Sequence, residues 1–200
     1  MPRYNGDNDP HSGTDGRVGE TAICVIDWRE LLLLKLMRIF SLLPIRGIPR
    51  FSISSHGFSD YFKGFDKVKT VRELFGEKTE DVLHNLRVEF SVLAGYMGVS
   101  GKDGHLIVNT RYLNGGDRID VYLDVVHELV HVRQFVEGKE LFDTNYGYAE
   151  RPTEVEAYMY AVKEARNLGL SDERICEYLK TEWMSEDDLR RLARALGVKC

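Results

Sequence analysis

His127-Glu128-Leu129-Val130-His131, at the centre of the stretch Asp117 to Glu137, decides how the rest of this chain is read. On an α-helix, positions i and i+4 lie one above the other, so His127 and His131 can aim their imidazoles at one metal ion. Glu128 follows the first histidine by about 100° of helical turn, which puts its carboxylate beside the metal rather than on it. Val121, Leu123, Val125, Val126, Leu129, Val130, Val132 and Phe135 recur at helical spacing with no Gly or Pro among them, so a helix is expected to carry the motif. Two histidines leave a hydrolytic metal site one protein ligand short.

The third ligand is sought downstream. Arg151-Pro152-Thr153-Glu154-Val155-Glu156 opens a second helix, with Pro152 in the first turn, where its missing N–H costs nothing. Glu154 shares a stripe with Ala157, Tyr158 and Ala161, which are small or apolar and expected to face inward. Glu156 lies with Tyr160 and Lys163 on a wetter face. Glu154 is therefore the first choice as ligand and Glu156 the alternative.

These residues, over roughly 104–166, resemble the gluzincin metallopeptidases, which pair an HExxH helix with a later helix that supplies a glutamate. The short spacing from His131 to Glu154 is most similar to the compact members called minigluzincins. The resemblance implies Zn2+ held by His127, His131 and Glu154, Glu128 as general base, and a peptide or protein as substrate. Several members carry Asp or a similar polar residue four positions after the ligand glutamate to orient a ligand histidine. Here that position holds Tyr158, so such support has to come from elsewhere. Gln134, three residues after His131 on the metal face, is a candidate for it.

Composition bounds the alternatives. Two hundred residues, 43% hydrophobic, are enough for one domain with a real core. A formal charge of -5 and a pI near 5.7 argue against a nucleic-acid partner, which needs concentrated Lys and Arg. Cys24, Cys176 and Cys200 are odd in number and scattered, which suggests a reducing, cytoplasmic setting rather than a disulfide framework. No basic segment followed by an unbroken apolar run suggests a secretory leader.

Residues 1–20, rich in Gly, Asp and Asn, read as a disordered tail in which His11 has no partner at ligand spacing. Residues 22–43 read as a strongly apolar helix ended by Pro44. Its charges, Lys35 and Arg38 among them, rule out a membrane span of about 20 apolar residues. A buried core helix is expected, with a basic helix lying on a membrane surface as the alternative. Residues 45–55 read as an irregular lead into a short strand, and residues 68–75 and 79–86 as two short helices flanking Gly76. Residues 87–98 and 106–112 alternate like strands and read together as a β-hairpin. In gluzincins the strand before the HExxH helix is commonly the edge along which a peptide lies, which would be 104–112 here.

The loop 141–151 joins the two ligand helices, so Tyr146 and Tyr148, with Tyr158, are candidates to donate to a developing oxyanion. Tyr158 is taken as the catalytic tyrosine. Ser171-Asp172-Glu173 and Ser185-Glu186-Asp187 begin two further helices, the last with apolar Leu189, Leu192, Ala193 and Leu196. The expected architecture is α+β: a small sheet on the HExxH helix, the glutamate helix opposite, and a helical extension. The expected divisions are a tail over 1–20, a zincin-like peptidase domain over 21–170 and an extension over 171–200. Oligomeric state is open. A latent or catalytically silent zinc-binding module is the competing function, because the extension could cover the cleft and bring the Cys200 thiol to the metal.

Overall fold

Residues 28–43, 55–92 and 95–200 are described by the structure, a computed structural model. The expectations for the tail over 1–20, for His11, for Cys24 and for the strand lead-in over 45–54 lie outside them. The chain runs through α1 (Trp28–Leu42), β1 (His56–Gly57), α2 (Phe58–Tyr61), α3 (Lys69–Phe75), α4 (Thr79–Asn85), β2 (Arg87–Ser91), β3 (Met97–Val99) and β4 (Leu106–Asn109). It continues with α5 (Thr110–Gly115), α6 (Arg118–Val136), α7 (Pro152–Leu168), α8 (Asp172–Leu179) and α9 (Glu186–Leu196). This is the expected α+β, zincin-like arrangement: a small mixed sheet against helices, with the histidine helix α6 and the glutamate helix α7 followed by C-terminal helices.

The limits of α6 follow from its sequence. Asp117 Oδ1 accepts the free N–H groups of Ile119 and Asp120 at 2.9 and 3.2 Å. At the other end Gly138, at φ 74°, reverses the chain so that the Lys139 N–H reaches the Gln134 carbonyl at 2.9 Å. Between these caps the helix touches α1, α3, α7 and β3. Val121, Leu123, Val125, Val126, Leu129 and Val130 are fully buried, so nearly every side of the helix is apolar core.

The sheet order is β1-β2-β4-β3. The expected hairpin of 87–98 with 106–112 is corrected here. β2 pairs with β4 in parallel, Val88 opposite Leu106 and Phe90 opposite Val108, while the antiparallel partner of β4 is the short strand β3. The alternation that buries Val88, Phe90, Leu106 and Val108 under the helices is the same whichever way β2 runs, so periodicity could not choose. Hydrogen bonding on both sides of β4 also corrects the expectation that 104–112 forms an edge. The edge nearest α6 is β3. Gly104 makes the β3–β4 turn possible, because its φ is 75° and a Cβ there would lie 2.4 Å from Phe135 Cδ1.

The expectation of a buried core helix for α1 holds for one face only. Ile39 and Leu42 are buried, but Leu33, Leu34, Met37 and Phe40 are 59, 61, 67 and 42% exposed. α1 packs from one side against α6 and α7, and a helix so placed can bury only one stripe. Lys35 and Arg38 mark its boundary, donating to the carbonyls of Asn167 and Lys67 at 2.7 and 3.3 Å. Among the described residues, no helix is long and apolar enough to cross a membrane.

The C-terminal helices share the main core. Ile175, Leu179 and Leu192 are fully buried, and Ser171 and Ser185 cap α8 and α9 as their sequences suggest. Cys176 and Cys200 form a disulfide across 24 residues, their Cα atoms 5.4 Å apart, which corrects the reading of both as free thiols. Closing a loop of that length removes entropy from the unfolded chain. Cys200→Ser should therefore lower the unfolding free energy by about 3 kcal/mol. Urea unfolding with and without reductant checks this: the native protein should lose the increment on reduction and the variant should not respond.

Candidate metal centre and its cleft

α6 and α7 run antiparallel and are pinned at two levels. Near one end the Gln134 amide donates to the Thr153 carbonyl at 3.0 Å and to Glu156 at 2.7 Å. Three turns away, Tyr122 donates to Glu164 at 2.9 Å, and Thr70 on α3 donates to the same carboxylate at 2.5 Å. This double attachment sets the register that brings Glu154, in the first turn of α7, against the histidine face of α6.

There, the Nε2 atoms of His127 and His131 stand 3.0 Å apart, and Glu154 Oε2 lies 3.4 and 3.5 Å from them. All three side chains are buried, and Glu154 Oε2 has no hydrogen-bond partner. Ligands about 2.0–2.1 Å from a tetrahedral zinc would be separated by roughly 3.3–3.4 Å. The donor set and spacing thus fit a divalent metal. An orphaned buried carboxylate oxygen facing two imidazole nitrogens is costly without one. Glu156 is excluded as the third member because its carboxylate is engaged by Arg133, Gln134 and Lys139.

The two histidines are held differently. His131 Nδ1 meets Gln134 Oε1 at 2.7 Å, and since an amide oxygen only accepts, Nδ1 carries a proton and Nε2 is the nitrogen left to coordinate once deprotonated. His127 Nδ1 is buried without a partner. Its ring instead packs edge-on against Tyr158, centroids 4.4 Å apart, so packing replaces the hydrogen bond expected of an acidic residue at that position. Arg151 stands 3.6 Å from Glu154 Oε1 and turns the other oxygen toward the histidines.

Charge follows the geometry. Burial opposes ionisation of Glu154, but the two imidazoles overcome it and hold the group well below the usual carboxylate range. Burial likewise opposes the charge on His131, yet Glu154 and Glu128 raise its pKa to about 9. His127 is lowered, chiefly by burial. Burial pushes Glu128 up to about 8, and its Oε2 has no partner although it borders the cleft.

The cleft has two connected parts. A space of about 180 Å³ is bounded by β3, both histidines, Glu128, Glu154, Leu141, Phe142, Tyr148 and Trp183. A larger one of about 310 Å³ extends from Glu128 past Asp124 to the connection between α8 and α9. Tyr148 and Tyr158 share a hydroxyl hydrogen bond of 3.0 Å. Tyr146, the other candidate in the loop, is largely exposed and does not border either space. Cys200, in its disulfide, cannot supply a thiolate. The part of the extension that reaches the cleft is Trp183, packed on Tyr96 and Tyr148 at centroid distances of 5.4 and 6.0 Å. Sequence reasoning missed Trp183, Arg151 and Asp124. Only Asp124 carried a local signal, standing one turn before Glu128 on the same helix face.

The cluster matches an HExxH-type, gluzincin-like zinc-binding active site. No protein-family model matches the chain, and no curated protein or solved structure does.

Metal and protons compete here. His131 is protonated through the neutral range in the metal-free protein, and coordination needs its lone pair, so binding must release that proton. Metal affinity should rise as pH is raised from 6 to 8, with a proton released per ion in calorimetry across buffers of different ionisation enthalpy. Glu154→Gln should weaken binding at least tenfold against a competing chelator, while Glu156→Gln should stay near the parent.

Proposed function

We propose that the protein is a zinc metallopeptidase acting on peptide or protein substrates. The observation that carries the reading is the convergence of His127, His131 and Glu154 beside a buried, unpaired Glu128 at the wall of an open cleft. A zinc ion in this site would polarise a substrate carbonyl and lower the pKa of water toward about 7. Glu128 takes the proton from the attacking water and returns it to the departing amine. Tyr148 and Tyr158 spend one of their two hydroxyl protons on each other, which leaves the second for the oxyanion, and Tyr158 is assigned that role. β3, as an edge strand on the cleft, offers the N–H and C=O groups along which an extended peptide can add.

The acidic charge gives no support to a nucleic-acid partner. The Cys176–Cys200 bridge is of the kind that oxidising compartments maintain, which speaks against the reducing, cytoplasmic setting expected from the scattered cysteines.

Glu128→Gln should abolish cleavage of an unstructured protein such as casein, by at least a hundredfold, while keeping one metal per chain. Chelation of the native protein should abolish activity and added zinc restore it. Retained activity in the metal-loaded variant would remove Glu128 from the mechanism.

A second reading, a latent or silent zinc module, draws on Trp183 forming one wall of the cleft. Truncation after Gly169 would expose Ile175 and Leu179 partners in the core, so Trp183→Ala is the cleaner probe. Latency predicts a severalfold rise in casein turnover in that variant, and an unobstructed enzyme predicts none.

A further inference from the structure

The larger part of the cleft has a chemistry the reaction itself does not use. Asp120, Asp124 and Glu128 stand at four-residue intervals on α6, so their carboxylates form a row, each about 6 Å along the axis from the next. Glu177 and Glu182 approach the same space from the other side. Its nearby cations are already engaged: Arg174 pairs with Asp120 at 2.5 Å, and Lys180 pairs with Glu186 at 2.9 Å. Asp124, Glu177 and Glu182 have no cation within salt-bridge distance among the described residues.

A row of acids alone would mean little, but neutral groups in the same pocket point to a guest. The Tyr178 side chain is only 7% exposed and borders the space, and its hydroxyl faces Asp124 without completing a hydrogen bond of ordinary geometry. Thr181 Oγ1, also bordering it, is buried and without a partner. Buried hydroxyls are seldom left so, since each loses its hydration without compensation. Asp124 accepts the Tyr112 hydroxyl at 2.5 Å and is faced by that of Tyr178, which leaves a carboxylate able to accept about four bonds with acceptor capacity to spare. Tyr96 and Trp183 add aromatic surface at the mouth, which attracts cations through the ring quadrupole. Carboxylates with acceptor capacity to spare, hydroxyls among them and aromatic walls suit an organic cation better than a metal ion, which would be met by carboxylates and carbonyls alone.

We propose that this part of the cleft is a cation-recognising subsite, in which Asp124, Tyr178 and Thr181 receive the ammonium or guanidinium group of a peptide adjacent to the bond attacked beside Glu128. Asp124 is the specificity-determining anion, one helical turn from the general base, so the cation belongs to a residue neighbouring the scissile bond. The group is a Lys or Arg side chain or the substrate's own amino terminus. The assignment rests on the peptidase reading for its substrate class, and its test does not depend on turnover.

Zinc-loaded Glu128→Gln protein, which cannot process its ligand, is titrated with acetyl-Ala-Lys-Ala-amide, acetyl-Ala-Leu-Ala-amide and unacetylated Ala-Leu-Ala-amide, followed by tryptophan fluorescence and calorimetry. At least one of the two cationic peptides should bind tenfold or more tighter than the neutral acetylated leucine peptide. Preference for the lysine peptide identifies the side chain as the cation, and preference for the free amine identifies the terminus. Adding Asp124→Asn should bring the ratio to within twofold, and Tyr178→Phe, which deletes only a hydroxyl, should reduce it about threefold and serves if the first variant does not fold. Equal binding of all three peptides, or a ratio that survives these substitutions, overturns the subsite. Cleavage by the native protein without cation preference would refute the subsite and leave the peptidase standing. Cation-dependent binding with no cleavage of any peptide would do the reverse.

Discussion

A helix enclosed on nearly all sides by apolar neighbours buries four polar side chains, His127, Glu128, His131 and Gln134, and burial puts a premium on partners inside the protein. Much of the surrounding structure answers that demand. His131 is satisfied by Gln134, and Gln134 in turn by the Thr153 carbonyl and Glu156. The imidazole Nε2 atoms and Glu154 Oε2 are satisfied by nothing in the chain except one another, and the remaining deficit is what a metal ion would meet.

The metal-binding geometry is therefore a property of the α6–α7 pair more than of the motif. Two polar attachments, one through Gln134 and one through the Tyr122–Glu164–Thr70 group, fix how far α7 slides along α6. A shift of one residue would replace Glu154 with Thr153 or Val155. Glu156, the carboxylate not used, helps to prevent that shift, because Arg133 and Lys139 hold it on the outer side of the same contact. Glu156 thus positions Glu154.

The cleft owes its second wall to the far end of the chain. α8 and α9 bury apolar side chains in the common core, and the disulfide joins α8 to the terminus beyond α9. The intervening connection is thereby held where Trp183 meets Tyr96 and Tyr148. Among the described residues, these aromatic contacts supply the depth of the cleft.

The sequence by itself determined what local physics governs. The apolar spacing from Val121 to Phe135 marked α6 within the stretch Asp117 to Glu137, and the stripe bearing Ala157, Tyr158 and Ala161 distinguished Glu154 from Glu156. Gln134 was legible as a support for His131 because three residues on a helix face are neighbours in any fold. The tertiary structure alone decided the parallel pairing of β2 with β4, since alternating burial is blind to strand direction. It decided that Cys176 and Cys200 meet, because spacing of 24 residues says nothing of the packing of α8 and α9 that closes the distance. It decided which face of α1 stays exposed, because the Leu-rich run offers apolar residues all round and only the placement of α6 and α7 selects a side. Trp183 reached the cleft on the same terms: its place depends on contacts made by helices on either side of it, and no property of its neighbours in sequence encodes them.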